Sequence, residues 1–241
     1  MEKLTVILPA AGKGTRLNLP YPKEILRLNS EKALIDYSFD LFNGLKHDEV
    51  EFVVIINEEK SEIIKYLSKY KSKYNISFTY QKPDEYEYTG AIKSAMHLFG
   101  DKNIVLLPDT LLTLSKNVNL ANLVSLRLKE DSFTFLFKSE TSEKMLRTKG
   151  CLKLDDYSRV LAYEDKPSQN ISGFNGYWCA FAFKKQVFDE CISFMEQSTL
   201  KLEQPQISIE QTPIFRSKVI EVEDYKDLGT WAEIGNVLSK N

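Results

Sequence analysis

The chain has 241 residues, 43% hydrophobic and 27% charged, the balance of a folded globular protein with ample length to bury a core. Its 32 basic and 34 acidic residues leave a net charge of −2, with both signs mixed along the chain. That balance gives no electrostatic case for nucleic acid or an anionic membrane as the main partner.

Thr5–Leu8 is a short β-branched apolar run that ends in a glycine-bearing turn, the pattern of a buried strand. Its apolar part is too short for a signal peptide, and no stretch approaches the roughly 20 apolar residues that cross a bilayer. Between Ala33 and Leu45, apolar residues recur at helical spacing ahead of a stop at Gly44. Phe52–Ile56 reads as a second buried strand, Ile63, Ile64 and Leu67 as a helix, and Ile76–Tyr80 as a third strand. Gly90 is expected to open a helix carrying Ile92, Ala95, Met96 and Phe99, and Ile104–Leu107 a strand ending at Pro108-Asp109.

The second half reads as strands at Phe133–Phe137, Gly150–Leu154, Val160–Tyr163 and Trp178–Phe183, with fewer helices between them and one closing helix through Trp231, Ile234 and Leu238. Strands apolar on both faces and separated by helices predict a mostly parallel sheet covered on both sides. Cys151, Cys179 and Cys191 are odd in number and lie in apolar surroundings, which disfavours a disulfide framework or a zinc site. With only His47 and His97, a histidine-rich metal site is disfavoured too. A reduced, cytoplasmic protein is the expectation.

Ligands of open α/β sheets sit beyond the carboxyl ends of the strands, so the segments that follow the strands are the candidates. After the first strand comes Pro9-Ala10-Ala11-Gly12-Lys13-Gly14-Thr15-Arg16-Leu17, where small residues let backbone N–H groups approach a phosphate chain and Lys13 and Arg16 add charge. Leu17 stands where the third glycine of a dinucleotide fingerprint would fall, and Asn57 where that fold needs an acid, which argues against a nicotinamide-dependent oxidoreductase. A P-loop is excluded by the spacing before Gly12-Lys13 and by Gly14 after it. Seven residues past Arg16, two prolines hold Pro20-Tyr21-Pro22-Lys23-Glu24 extended and fix where Lys23 points.

AAGxGTRL followed closely by PKExL resembles the signature of the sugar-nucleotidyltransferases, the nucleoside-diphosphate-sugar pyrophosphorylases. The wording is similar to glucose-1-phosphate uridylyltransferases, with thymidylyltransferases as relatives. The short gap from Arg16 to Lys23 resembles the uridylyltransferase domain of N-acetylglucosamine-1-phosphate enzymes. The resemblance continues in order through Leu106-Leu107-Pro108-Asp109, Glu164-Asp165-Lys166-Pro167, Asn175-Gly176-Tyr177-Trp178 and Tyr225-Lys226-Asp227-Leu228-Gly229-Thr230.

It implies a Rossmann-like α/β fold, a mostly parallel mixed sheet with helices on both faces. One nucleotidyltransferase domain would span residues 1–241, with a nucleotide-binding half at 1–115 and a sugar-phosphate-binding half at 116–241. The activity implied is transfer of a nucleoside monophosphate from an NTP to a sugar 1-phosphate with Mg²⁺, giving an NDP-sugar and pyrophosphate. Arg16, Lys23 and Lys166 would be catalytic. Ala10, Ala11, Gly12, Lys13, Gly14, Thr15, Gln81 and Gly90 would bind the nucleotide. Glu164, Lys166, Asn175 and Gly176 would bind the sugar phosphate, and Asp109 and Asp227 the metal.

The partners implied are an NTP and a phosphorylated acceptor, with homo-oligomerisation an analogy only. Gln81 favours uracil or thymine, while a CTP-dependent cytidylyltransferase and a non-catalytic nucleotide-sugar sensor are the alternatives. The sensor predicts loss of Lys23, Asp109 or Asp227, and all three are present. Taken singly, Asp109 also reads as the cap of a helix after Thr110, Asp227 as a turn residue before Gly229, Glu164 and Lys166 as one exposed strand face, and Trp178 and Trp231 as core or pocket-wall aromatics. Only 14 residues follow Asp227, which leaves no room in this sequence for an added C-terminal acetyltransferase or β-helix.

Overall fold

The computed structural model describes residues 3–85, 87–115, 118–201 and 206–239. Its strands are β1 (Leu4–Pro9), β2 (Val50–Ile56), β3 (Asn75–Tyr80), β4 (Lys102–Leu106), β5 (Thr110–Thr113), β6 (Phe133–Ser139), β7 (Gly150–Leu154), β8 (Val160–Asp165), β9 (Gly176–Lys184), β10 (Ile220–Glu221) and β11 (Asp224–Asp227). Its α-helices are α1 (Asp36–Asp40), α2 (Glu62–Leu67), α3 (Glu87–Ser94), α4 (Leu120–Glu130), α5 (Glu143–Leu146), α6 (Phe188–Leu200) and α7 (Trp231–Leu238).

The main sheet runs β10-β6-β9-β4-β1-β2-β3, with the β7–β8 hairpin attached through β9. Strands β3, β2, β1 and β4 are parallel, and β9 lies antiparallel between β4 and β6. Side chains alternate across the sheet, and the core divides accordingly. Val6, Leu8, Phe52 and Val54 face one layer with Phe39 of α1, Leu67 of α2 and Val124 of α4. Ile7, Val53, Ile55 and Val105 face the other, with Ile92 of α3 and Ile192 and Met195 of α6. This is the mixed α/β fold that the apolar strands predict. Four parallel carboxyl ends, at Pro9, Ile56, Tyr80 and Leu106, open on the same edge.

Several local expectations are corrected. The helix expected over residues 33–45 is α1 alone, flanked by tighter turns such as Phe42 N–H to the Phe39 carbonyl (3.0 Å) and Leu45 N–H to Phe42 (3.2 Å). Asp36 anchors this segment: its buried carboxylate accepts from Ala33 N–H, Tyr66, Tyr70 and Lys69. Gly90 lies inside α3 instead of opening it, and its role is close packing: a Cβ there would fall 2.6 Å from the Glu85 backbone. No helix follows Asp109: Thr110 enters β5, which removes the capping role. The second half is also more helical than expected, with α4, α5 and α6 between its strands. Trp231 is 52% exposed and not core, its indole N–H donating to the Leu17 carbonyl (3.1 Å).

Candidate active site

The loop after β1 is held from below. Asn57, directly after β2, donates to the Ala11 carbonyl (2.7 Å), and the Lys60 ammonium donates to the Ala10 carbonyl (2.8 Å) and to both oxygens of Glu24 (2.8 and 2.9 Å). Lys60 and Glu24 are almost wholly buried, with side chains 6% and 1% exposed. Burial lowers the Lys60 pKa and raises that of Glu24, each against the pull of its partner, so the pair is held by geometry against its own desolvation. Its structural effect is to tie the Pro22-Lys23-Glu24 segment to the exit of β1. Gly14, at φ +66°, turns the loop so that the Lys23 alkyl chain packs 3.6 Å from the position its Cβ would take.

Two aspartates of the opposite wall come from neighbouring backbone. Strands β5 and β11 pair antiparallel with Asp227 opposite Thr110, and Leu228 N–H donates to the Asp109 carbonyl (2.9 Å). A two-stranded ladder thus places Asp109 beside Asp227 although they are distant in sequence. Asp109 is ion-paired with Lys23. Asp227 accepts from Lys149 (2.9 Å) and from Gly229 N–H (3.0 Å). Gly229 also leaves room for the Arg16 guanidinium: a Cβ there would lie 2.9 Å from Arg16 Nη2 and 3.0 Å from Asp227 Oδ1. Burial pulls the Asp227 pKa up, but Lys149, the Gly229 N–H and Arg16 together outweigh it and hold the carboxyl below its ordinary range.

Arg16, Lys23, Asn57, Asp109 and Asp227 line a cleft of about 680 Å³ at the carboxyl edge of the parallel strands, which also receives Gly12, Lys13, Gln81 and Tyr88. Gln81 follows β3 and is fixed there by its own N–H to the Ile56 carbonyl (2.9 Å) and by Nε2 to the Glu85 carbonyl (2.7 Å). The structure therefore brings together Ala11, Gly12, Lys13, Arg16, Lys23, Gln81, Asp109 and Asp227.

Other residues named from the sequence lie elsewhere. Ala10 is buried beneath the loop, Gly14 and Thr15 lie along its outer part, and Gly90 packs on Glu85. Asn175 Oδ1 accepts from Leu154 N–H (2.6 Å), and Gly176 packs against the Lys138 carbonyl, 2.1 Å from where a Cβ would stand. Glu164 borders a separate cavity with Lys153 and Asn170. Lys166 has left-handed backbone (φ +49°), a 59% exposed side chain and an ion pair with Asp165 at 3.6 Å.

Sequence reasoning missed Lys60, Lys149 and Tyr88, and read Asn57 only as evidence against a dinucleotide site. Asn57 had a usable signal, since it ends a predicted strand at the ligand-bearing edge. Among the described residues, no group of three or more His, Cys, Asp or Glu side chains is placed to hold a metal; the acidic residues that line the cleft are Glu85, Glu87, Asp109 and Asp227. All three cysteines are buried as free thiols, and burial pushes Cys151 up to about 12. No helix among the described residues is long and apolar enough to cross a membrane.

A parallel-edge cleft with a small-residue loop, Lys and Arg cations and two aspartates is an arrangement that suits a phosphate-bearing ligand of an α/β fold. Residues 4–239 match the nucleotidyl transferase family, and the chain belongs to that family of enzymes. The fold is similar to an apo UDP-glucose pyrophosphorylase (TM-score 0.76, 18% identity, 100% of this chain and 98% of that one). It is also similar to UDP-glucose pyrophosphorylase from Acinetobacter baumanii (0.72, 15%, 99% and 92%). A Bacillus anthracis protein described as a glucose-1-phosphate thymidylyltransferase gives 0.75 at 16% identity, covering 98% of this chain and 94% of that one. No curated protein sequence matches the chain.

Proposed function

We propose that the enzyme transfers a nucleoside monophosphate from UTP or dTTP to a sugar 1-phosphate. A phosphate oxygen of the acceptor attacks the α-phosphorus, the bond from that phosphorus to the bridging oxygen of the β-phosphate breaks, and pyrophosphate leaves with the bonding electrons. The attacking oxygen is already anionic, so the reaction needs no general base. The remaining work is to position two anions and offset the charge that develops between them. Lys13 and Arg16 grip the triphosphate beside the loop amides, and Lys23 faces the leaving pyrophosphate.

The carrying observation is the convergence of Arg16, Lys23, Asp109 and Asp227 on one cleft from four separate segments. Two carboxylates on a cleft wall that receives phosphates are the hard oxygen donors Mg²⁺ prefers, so the donor set fits that ion. Held by Asp109 and Asp227, Mg²⁺ would neutralise phosphate charge in the transition state.

Base preference is supported by Gln81. Its Nε2 is engaged by the Glu85 carbonyl, so its Oε1 is the acceptor that suits the N3–H of uracil or thymine. Cytosine presents an acceptor at that position.

The test is pyrophosphate release with Mg²⁺ for four NTPs against a panel of phosphorylated sugars and other small phosphomonoesters. Release with UTP or dTTP and a hexose 1-phosphate is expected. Release confined to CTP overturns the base assignment, and no release with any pair overturns the reaction.

A further inference from the structure

Lys60 ends a tight helical turn, Glu58–Lys60, that follows β2 directly after Asn57. Asn57 caps that turn, its side-chain oxygen accepting from Glu59 N–H (3.0 Å), and Lys60 N–H donates to the Asn57 carbonyl (3.1 Å). The base of the Lys60 side chain is thus fixed to a central strand of the sheet. Lys60 does not line the nucleotide cleft, so it can act on a substrate only through the groups it holds.

Two parts of the cleft meet at its ammonium. One is the exit of β1. Ala10, whose carbonyl Lys60 holds, is pinned to β2 by its own N–H to the Ile55 carbonyl (2.7 Å), and the cleft residues Ala11, Gly12 and Lys13 follow at once. The other part is Glu24, next in sequence to Lys23. Lys23–Ile25 is itself a tight turn, closed by Leu26 N–H to the Lys23 carbonyl (2.9 Å), so Glu24 and Lys23 are held as one unit. The backbone bonds from Ile35 N–H to the Glu24 carbonyl (2.9 Å) and from Leu34 N–H to the Leu26 carbonyl (3.0 Å) fasten this unit to residues 34 and 35, not to the loop. Leu19, Pro20, Tyr21 and Pro22 border a second cavity of about 230 Å³ that also receives Lys13, so packing does not fill the space on that side.

We propose that Lys60 is a positioning residue for nucleotidyl transfer, which by gripping Glu24 and the Ala10 carbonyl together sets the distance between the small-residue loop and the Lys23 ammonium. This role rests on the transferase reading above and adds the means by which its cations keep their spacing. Lys13 and Arg16 reach the triphosphate from the loop, and Lys23 reaches it from the other segment. Both must meet the developing charge at once, and a misplacement of about 1 Å can cost about a hundredfold in rate. A carboxylate bound through both oxygens to one ammonium fixes direction as well as distance. Freed of that tie, the Lys23 ammonium keeps its attraction to Asp109 and loses its set spacing from the loop.

The test measures pyrophosphate release, with kcat and with KM for UTP and glucose 1-phosphate, beside urea unfolding of each variant. Lys60→Met is expected to lower kcat about ten- to a hundredfold, with the KM of glucose 1-phosphate within about threefold of wild type. Lys60→Arg should recover part of the turnover, because a guanidinium can hold the same carboxylate through both oxygens. Glu24→Leu/Lys60→Met leaves no charge of the pair buried, so it should regain much of the stability and none of the turnover. In a Lys23→Ala background, Lys60→Met should lower turnover by less than about threefold, because the group it positions is already gone. Turnover that returns with stability in Glu24→Leu/Lys60→Met, failure of that double variant to fold, or an undiminished Lys60→Met effect in Lys23→Ala overturns the positioning role and leaves the transferase reading standing. A wild type that releases no pyrophosphate with any NTP and acceptor of the panel overturns both.

Discussion

Replacing Lys60 by methionine tests what holds the phosphate-side loop. The substitution keeps most of the side chain's volume but leaves Glu24, 1% exposed, as a buried carboxylate with its ammonium partner gone, and takes a hydrogen bond from the Ala10 carbonyl. Breaking a buried ion pair by removing one partner costs about 3–5 kcal/mol, because the remaining charge keeps its desolvation penalty. For a chain of this size that is a fall in Tm of about 6–20 °C. Glu24→Leu should cost a similar amount for the mirror-image reason.

The double variant Glu24→Leu/Lys60→Met removes both charges, so it should be far less damaged than the sum of the two. Its residual loss is about 1–3 kcal/mol, the cost of the unsatisfied Ala10 carbonyl. Urea unfolding followed by far-UV circular dichroism gives all four corners of the cycle. A loss below about 1 kcal/mol in Lys60→Met, or strict additivity in the double variant, would refute the reasoning.

Three further outcomes are expected. The Asp227 carboxyl is held below its ordinary range in the folded chain, so the stability it contributes is fully present above about pH 4 and is lost as pH falls through the folded value. Urea midpoints of Asp227→Asn should therefore decline less steeply below about pH 4 than those of the wild type, and equal acid slopes would contradict this. Gly150→Ala should destabilise by about 1–3 kcal/mol, since its Cβ would sit 2.0 Å from Trp178 Nε1; Trp178→Phe in the same chain should restore part of the loss in thermal unfolding. Gln81→Ala should weaken UTP more than CTP in competition binding, because the carbonyl acceptor removed serves a base with an N3–H donor.

Strands β1 and β2 of the parallel half were legible because each is a continuous β-branched run buried on both faces, while β3, exposed or half-buried along its length, showed only in the Ile76, Phe78 and Tyr80 alternation. Helix α7 was legible from Trp231, Ile234 and Leu238 at helical spacing. Strands β5 and β11 were not, since four residues with mixed exposure carry no period-2 signal. Yet that pairing is what sets Asp109 beside Asp227, so the positions were readable from local motifs while the reason they converge was not. Helix α6 carried a usable signal, Phe188, Cys191, Ile192 and Met195 recurring at three and four.

Lys60 and Lys149 are the harder cases. A lysine reads as solvated surface, and only tertiary packing shows that one is buried against Glu24 and the other held at Asp227. Lys166 stands on left-handed backbone, a local conformation that the ordered motif gave no sign of.

The central claim is that the cations and carboxylates of the cleft carry out nucleotidyl transfer. It is tested most directly by pyrophosphate release from wild type, Lys23→Ala and Asp109→Ala at saturating UTP and glucose 1-phosphate, with circular dichroism verifying the fold of each. Turnover in both variants is expected to fall by about 10²–10³-fold, the range for removing one charge-stabilising group, with the fold intact. Near-wild-type release from both folded variants would contradict the account.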